Sequence, residues 1–159
     1  MKLFATIVIL LASLTSVCAG AVDHEAIDEW PIGSAMHTAN LHKQARDRIE
    51  RRLQSQHARV VSLVRGGAKF SDEALLQAMD AQHAAWLKYR DAECGLVGAL
   101  TGAGGSWPSA YALECEANLT NRRFRTLRAA ATCVEKELHT ATPDERRCLY
   151  RLTPLATTK

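Results

Sequence analysis

The chain has 159 residues, of which 47% are hydrophobic and 23% charged, with a formal charge of +3. That length suits one domain with a respectable core, and arginines scattered along every segment exclude the basic stripe of a nucleic-acid binder. Past the N-terminal segment, no apolar run approaches the roughly 18 consecutive residues that a membrane span needs.

The first residues, MKLFATIVILLASLTSVCAGA, run from one lysine through an apolar stretch to small residues at Ala19, Gly20 and Ala21. This pattern predicts a secretory signal peptide over 1–21, cleaved near Ala19 or Ala21, and a periplasmic or secreted mature protein. A lipoprotein reading at Cys18 is weaker, because Thr15-Ser16-Val17 matches poorly what such a site requires. Loss of Lys2 and Cys18 leaves 19 basic against 17 acidic residues, a charge of +2, and four of the five cysteines. An even cysteine count in an exported chain implies disulfides.

Residues 22–34 read as a loosely ordered lead-in to a single domain over 35–152, with 153–159 as a flexible tail. From Ala35 to Val64, Leu41, Ala45, Ile49, Leu53, Val60 and Val64 recur at helical spacing. Arg46, Arg48, Arg51, Arg52 and Arg59 fill the gaps, so a long amphipathic helix with a solvated basic face is predicted. Gly66-Gly67 ends it. A second helix starts with Ser71 as N-cap, Asp72 and Glu73 in the first turn, and Phe70 stapled on Leu75. It carries Leu75, Met79, Trp86, Leu87, Cys94 and Val97 as far as the turn TGAGGSWPS. A third helix spans about Ser109 to Leu138 on Tyr111, Cys115, Leu119, Leu127, Ala131, Val134 and Leu138. Thr142-Pro143-Asp144-Glu145 signals a short last helix ending by Leu152. Three helices of nearly thirty residues, each about 45 Å long, with tight connections give an all-α, up-down-up bundle.

In AQHAAWLKYRDAEC, Trp86, Arg90 and Cys94 fall four residues apart and share one helix face. In an antiparallel hairpin Cys94 faces Cys115, which favours that bond and leaves Cys133 for Cys148, although four cysteines permit three connectivities. Zinc is the rival use of four cysteines, but there is no C-x-x-C pair and no two histidines at the i,i+4 spacing. Neither a metal nor a cofactor is expected. Arg90 then sits one turn below the bond, where its charge needs compensation: Trp86 by stacking, and Glu116 or Glu114 as carboxylate. A structural joint is the simplest reading of this seam.

The ordered set Ala81, Gln82, Trp86, Arg90, Asp91, Cys94, Gly104, Gly105, Ser106, Cys115, Leu119, Thr120, Arg123 and Leu127 resembles the signature of the lysozyme inhibitor LprI-like family. The resemblance covers about the central third of the chain. It implies a small exported helical protein, a Cys94–Cys115 bond, and structural roles for Trp86, Arg90, Asp91 and Arg123. Two departures stand out: Leu41-His42 followed by Ala45 replaces the family's leucine-asparagine and tyrosine, and the pair Cys133 and Cys148 looks like a local addition.

The resemblance implies a binding protein that blocks a peptidoglycan hydrolase, either a lysozyme or a lysozyme-like toxin, as inhibitor or immunity protein. Such an enzyme has a long cleft with two carboxylates, and residues 101–111, TGAGGSWPSAY, have the character of a loop that fills one. Gly104 and Gly105 shape the turn, Trp107 and Tyr111 are rigid anchors, and Ser106 and Ser109 are donors. The plainer reading gives the glycines the turn alone and Trp107 the end of the bundle to cover. A charge of +2 offers no steering toward basic lysozymes. The alternative function is a non-catalytic envelope structural or assembly factor using the basic face of the first helix. Catalysis is not expected, since Asp91, Glu93, Glu114 and Glu116 have arginines around them and no nucleophile with a base.

Overall fold

A computed structural model describes residues 29–67, 72–140 and 145–153. The expected signal peptide, the Phe70 staple and the Thr142-Pro143 cap lie outside them. Three long helices follow one another, α1 (Ala35–Gly67), α2 (Glu73–Leu100) and α3 (Trp107–Glu137), then a short α4 (Glu145–Leu149) that tightens into a 3-10 turn (Tyr150–Leu152). Among the described residues there is no strand, so the all-α bundle expected from periodicity is the observed architecture.

The helix starts differ from expectation in instructive ways. Ser34 opens α1, its hydroxyl accepting from the His37 amide at 3.2 Å, a good cap residue in a place where the sequence reading looked only for apolar spacing. The cap of α2 is Asp72 and not Ser71: its backbone is extended and its carboxylate accepts from Leu75 N at 2.7 Å. An ionised acceptor gains from the positive helix end as well as from the hydrogen bond. α3 begins two residues before the expected Ser109, because Pro108 fits the first helical turn, where no amide donor is required.

α3 is the central element. α1 packs most extensively against it and α2 less so, while the α1 and α2 backbones rarely approach and meet through long side chains. The core combines Leu53, Val60, Val61 and Val64 of α1 with Leu76 and Met79 of α2, and with Phe124, Leu127, Ala130 and Ala131 of α3. Leu152 of the last turn closes it. Burying each of the larger side chains contributes about 1.5–3 kcal/mol. The apolar stripes were only partly as expected, for Leu41, Val97 and Tyr111 stand exposed. They lie toward helix ends, on faces turned partly to solvent.

Both disulfides are formed, Cys94–Cys115 with Cα atoms 5.4 Å apart and Cys133–Cys148 at 5.5 Å. The first locks α2 to α3 near their connection, and the second fastens α4 to α3. The thiols that a zinc site would need are thereby consumed.

Candidate functional site

The α2–α3 connection is built as a rigid corner. Thr101 ends α2 and its hydroxyl donates to the Gly98 carbonyl at 2.7 Å while accepting from Ala103 N at 3.3 Å. Gly102 and Gly105 take the left-handed conformation, with φ of 61° and 63°, which a side chain would strain. Gly98 solves a different problem: a Cβ there would lie 2.5 Å from the Pro108 carbonyl oxygen, so its absence lets the two helices close to the distance that the disulfide spans.

On this corner Gly104 and Gly105 are exposed, Ser106 is half-buried and Ser109 is exposed. Ser106 occupies the N-cap position of α3, yet its hydroxyl makes no capping hydrogen bond. Trp107 and Tyr111, one helical turn apart, keep 37% and 41% of their surface and lie with ring centroids 6.1 Å apart. Leu96 and Leu100, at the end of α2, are more exposed still. The corner therefore presents two aromatic rings and two leucines to solvent, flanked by the Cys94–Cys115 bond.

One turn below the disulfide, Arg90 is 3% exposed. Its Nε and Nη2 donate to Asp91 at 2.9 and 2.8 Å, and its Nη1 donates to Glu50 and to the Thr120 hydroxyl, both at 3.1 Å. The guanidinium carbon stands 5.8 Å from the Trp86 ring centroid, so the expected stacking is present. The expected carboxylates are not: Glu116 belongs to Arg46, at 2.9 Å, and Glu114 is exposed. The seam joins all three long helices, since Glu50 comes from α1 and Thr120 from α3. The neighbouring carboxylates hold the Arg90 charge against the desolvation that burial imposes, and its pKa is raised.

Arg123, 6% exposed, is the second buried guanidinium and also lies 5.8 Å from the Trp86 ring centroid. It donates to the Leu152 carbonyl at 3.0 Å and to the Gln82 side-chain oxygen. Burial alone lowers its pKa. Beside it His57 and His83 stack with centroids 4.1 Å apart. Desolvation first, then the mutual repulsion of the pair, pushes His83 down to about 4, and desolvation lowers His57 despite Asp80 at 3.8 Å. This pair was absent from the sequence reading, which tested histidines only within one helix. A twenty-six-residue separation across two helices leaves no local signal.

The basic face of α1 is largely solvated, as expected, with Arg48, Arg51, Arg52 and Arg59 exposed and Arg46 half-buried. Arg46 is tied to Asp47 and Glu116, Arg59 to Glu135, and Arg52 lies over Phe124, 4.6 Å from its ring centroid. Arg48 and Arg51 have no such contact among the described residues. Asp91 and Glu116 are thus both paired with arginines, while Glu93 and Glu114 are exposed.

A model of the protein family described as lysozyme inhibitor LprI matches residues 32–127, more than half of the chain. No curated protein and no solved structure shows a significant match. The matched span holds the Trp86–Arg90–Cys94 ladder, the glycine corner and Cys115, and it stops before Cys133 and Cys148.

Proposed function

The chain belongs to the lysozyme inhibitor LprI family, and from that premise we propose that it is an exported binding protein that inhibits a peptidoglycan hydrolase through the corner at residues 101–111. The family match is the observation that carries this reading. Geometry supports the choice of surface: Trp107 and Tyr111 are rigid, exposed and braced by a disulfide, so little conformational entropy is lost when they enter a cleft. Ser106 and Ser109 offer hydroxyl donors beside them, suited to a cleft that carries carboxylates. Two disulfides suit an oxidising, extracytoplasmic compartment. The alternative, an envelope factor using the basic face of α1, loses support because Arg46, Arg52 and Arg59 already have protein partners.

The test is a cell-wall clearing assay with lysozymes of several types, comparing the oxidised protein with the double variant Trp107→Ala, Ser106→Ala. Inhibition of one type by the parent, weakened at least tenfold in the variant as for a hot-spot truncation of about 1.4 kcal/mol or more, is the expected outcome. Equal inhibition by parent and variant moves the binding surface elsewhere. Failure of the parent against every lysozyme overturns lysozyme inhibition for this chain and turns the search to a dedicated toxin.

A further inference from the structure

A pocket of about 500 Å³ opens between the first half of α2 and the C-terminal turn, away from the corner at the other end of α2. That volume lies within the range of roughly 300–1,000 Å³ typical of small-molecule sites. Leu75, Ala78, Met79, Leu149, Tyr150 and Leu152 make most of its wall; the polar part comes from Gln82, Arg123, His57, Asp72 and Thr153, with a second guanidinium, Arg146, exposed at the rim.

Arg123 distinguishes this pocket from a packing gap. It is as deeply buried as Arg90, but Arg90 has two carboxylates, whereas no described carboxylate forms an ion pair with Arg123. Its hydrogen bonds go to neutral oxygens, the Leu152 carbonyl and the Gln82 amide, and its Nε has no partner among the described residues. A buried cation held only by neutral acceptors carries an uncompensated desolvation cost. His57 Nε2, also in the lining, makes no hydrogen bond among the described residues and faces the Asp80 carboxylate only at 3.8 Å. The acidic residue in the wall, Asp72, is occupied in capping α2. The site thus combines an apolar wall with a positive charge in want of an anion.

We propose that this pocket binds a small amphiphilic carboxylate, its head paired to Arg123 and its aliphatic body lying on Leu75, Met79 and Leu149. Such a ligand supplies the missing counter-charge and covers apolar wall in one step, and its binding is independent of the inhibitor surface.

Isothermal titration of the oxidised full chain tests this with three probes of equal chain length: octanoate, octan-1-ol and octylammonium. Octanoate is expected to bind saturably at one site, at least about tenfold tighter than the other two, the factor a charge-assisted hydrogen bond supplies. Arg123→Gln should erase that preference. Because Arg123 also holds the Leu152 carbonyl, a second variant is needed: Ala78→Trp places a large ring at an exposed wall position. It should block octanoate while leaving the helical circular dichroism unchanged. Equal binding of octanoate and octanol, octanoate binding undiminished in Ala78→Trp, or no saturable binding of any probe would each overturn the proposal.

Discussion

Two guanidiniums over one indole ring, Arg90 and Arg123 above Trp86, form the polar interior of the molecule. They differ in what neutralises them, and so in what their removal would do. Arg90→Gln should cost about 3 kcal/mol, at the low end for breaking a buried pair because Asp91 and Glu50 keep contact with water. Arg90→Lys should recover little of it, since a point charge cannot reach Glu50, Asp91 and Thr120 together. Urea unfolding at pH 7 checks both, and a loss below about 1 kcal/mol would mean the seam is not a stabilising joint. His83 makes a pH-dependent contribution. Its folded pKa of about 4 lies below the unfolded value of 6.5, so the unfolded chain binds the extra proton first. The contribution is complete above pH 6.5 and is lost as pH falls toward 4. The stability gap between the parent and His83→Leu should therefore shrink on acidification, by on the order of 3 kcal/mol, as read from unfolding curves at pH 7 and pH 4. At this scale the sequence showed the ladder Trp86, Arg90 and Cys94 and the stacking within it, because one helix supplies all three residues. It did not show Glu50 or the His57–His83 pair, because those contacts depend on how α1 is rotated against its neighbours.

Helix spacing was legible where α1 and α3 pack together, at Leu53, Val60 and Val64 of α1 and Leu127 and Val134 of α3, all fully buried. Reading failed toward the ends, where Leu41, Val97 and Tyr111 keep the same spacing but stay partly open to solvent. The α2–α3 corner was readable as a glycine turn, yet the specific demand on Gly98 was not, since it arises from Pro108 on the next helix. This gives a paired prediction. Gly98→Ala should destabilise by about 1–3 kcal/mol through overpacking, because the obstacle is a backbone carbonyl that cannot swing aside. Gly95→Ala, in the same helix with nothing within 4 Å of its Cβ, should stabilise by about 1 kcal/mol. Thermal unfolding of the two variants checks the opposite signs; a stabilised Gly98→Ala would contradict the close approach of α2 and α3.

Across the whole molecule the two disulfides divide the labour. Cys94–Cys115 lies within the family-matched span and braces the proposed binding corner, whereas Cys133–Cys148 lies outside it and holds α4 and the wall of the pocket. The double variant Cys133→Ser, Cys148→Ser should lose roughly 3 kcal/mol of stability, the chain-entropy value for a short loop, with hydrolase inhibition retained in the clearing assay. Loss of inhibition would show that the corner depends on the far end of the bundle. The pocket itself was invisible in the sequence, because it exists only where the C-terminal turn folds back onto α2.

The same two bonds set how the molecule behaves once its backbone is cut. A single protease cleavage between Cys94 and Cys115, or between Cys133 and Cys148, leaves every segment covalently attached to α3. α1 has no such tether, being linked to the rest only by the chain leading into α2. One cut in that connection would leave it held by noncovalent packing alone. A cut in that link would therefore do more damage than a cut in the exposed glycine corner, whose two sides the Cys94–Cys115 bond keeps joined.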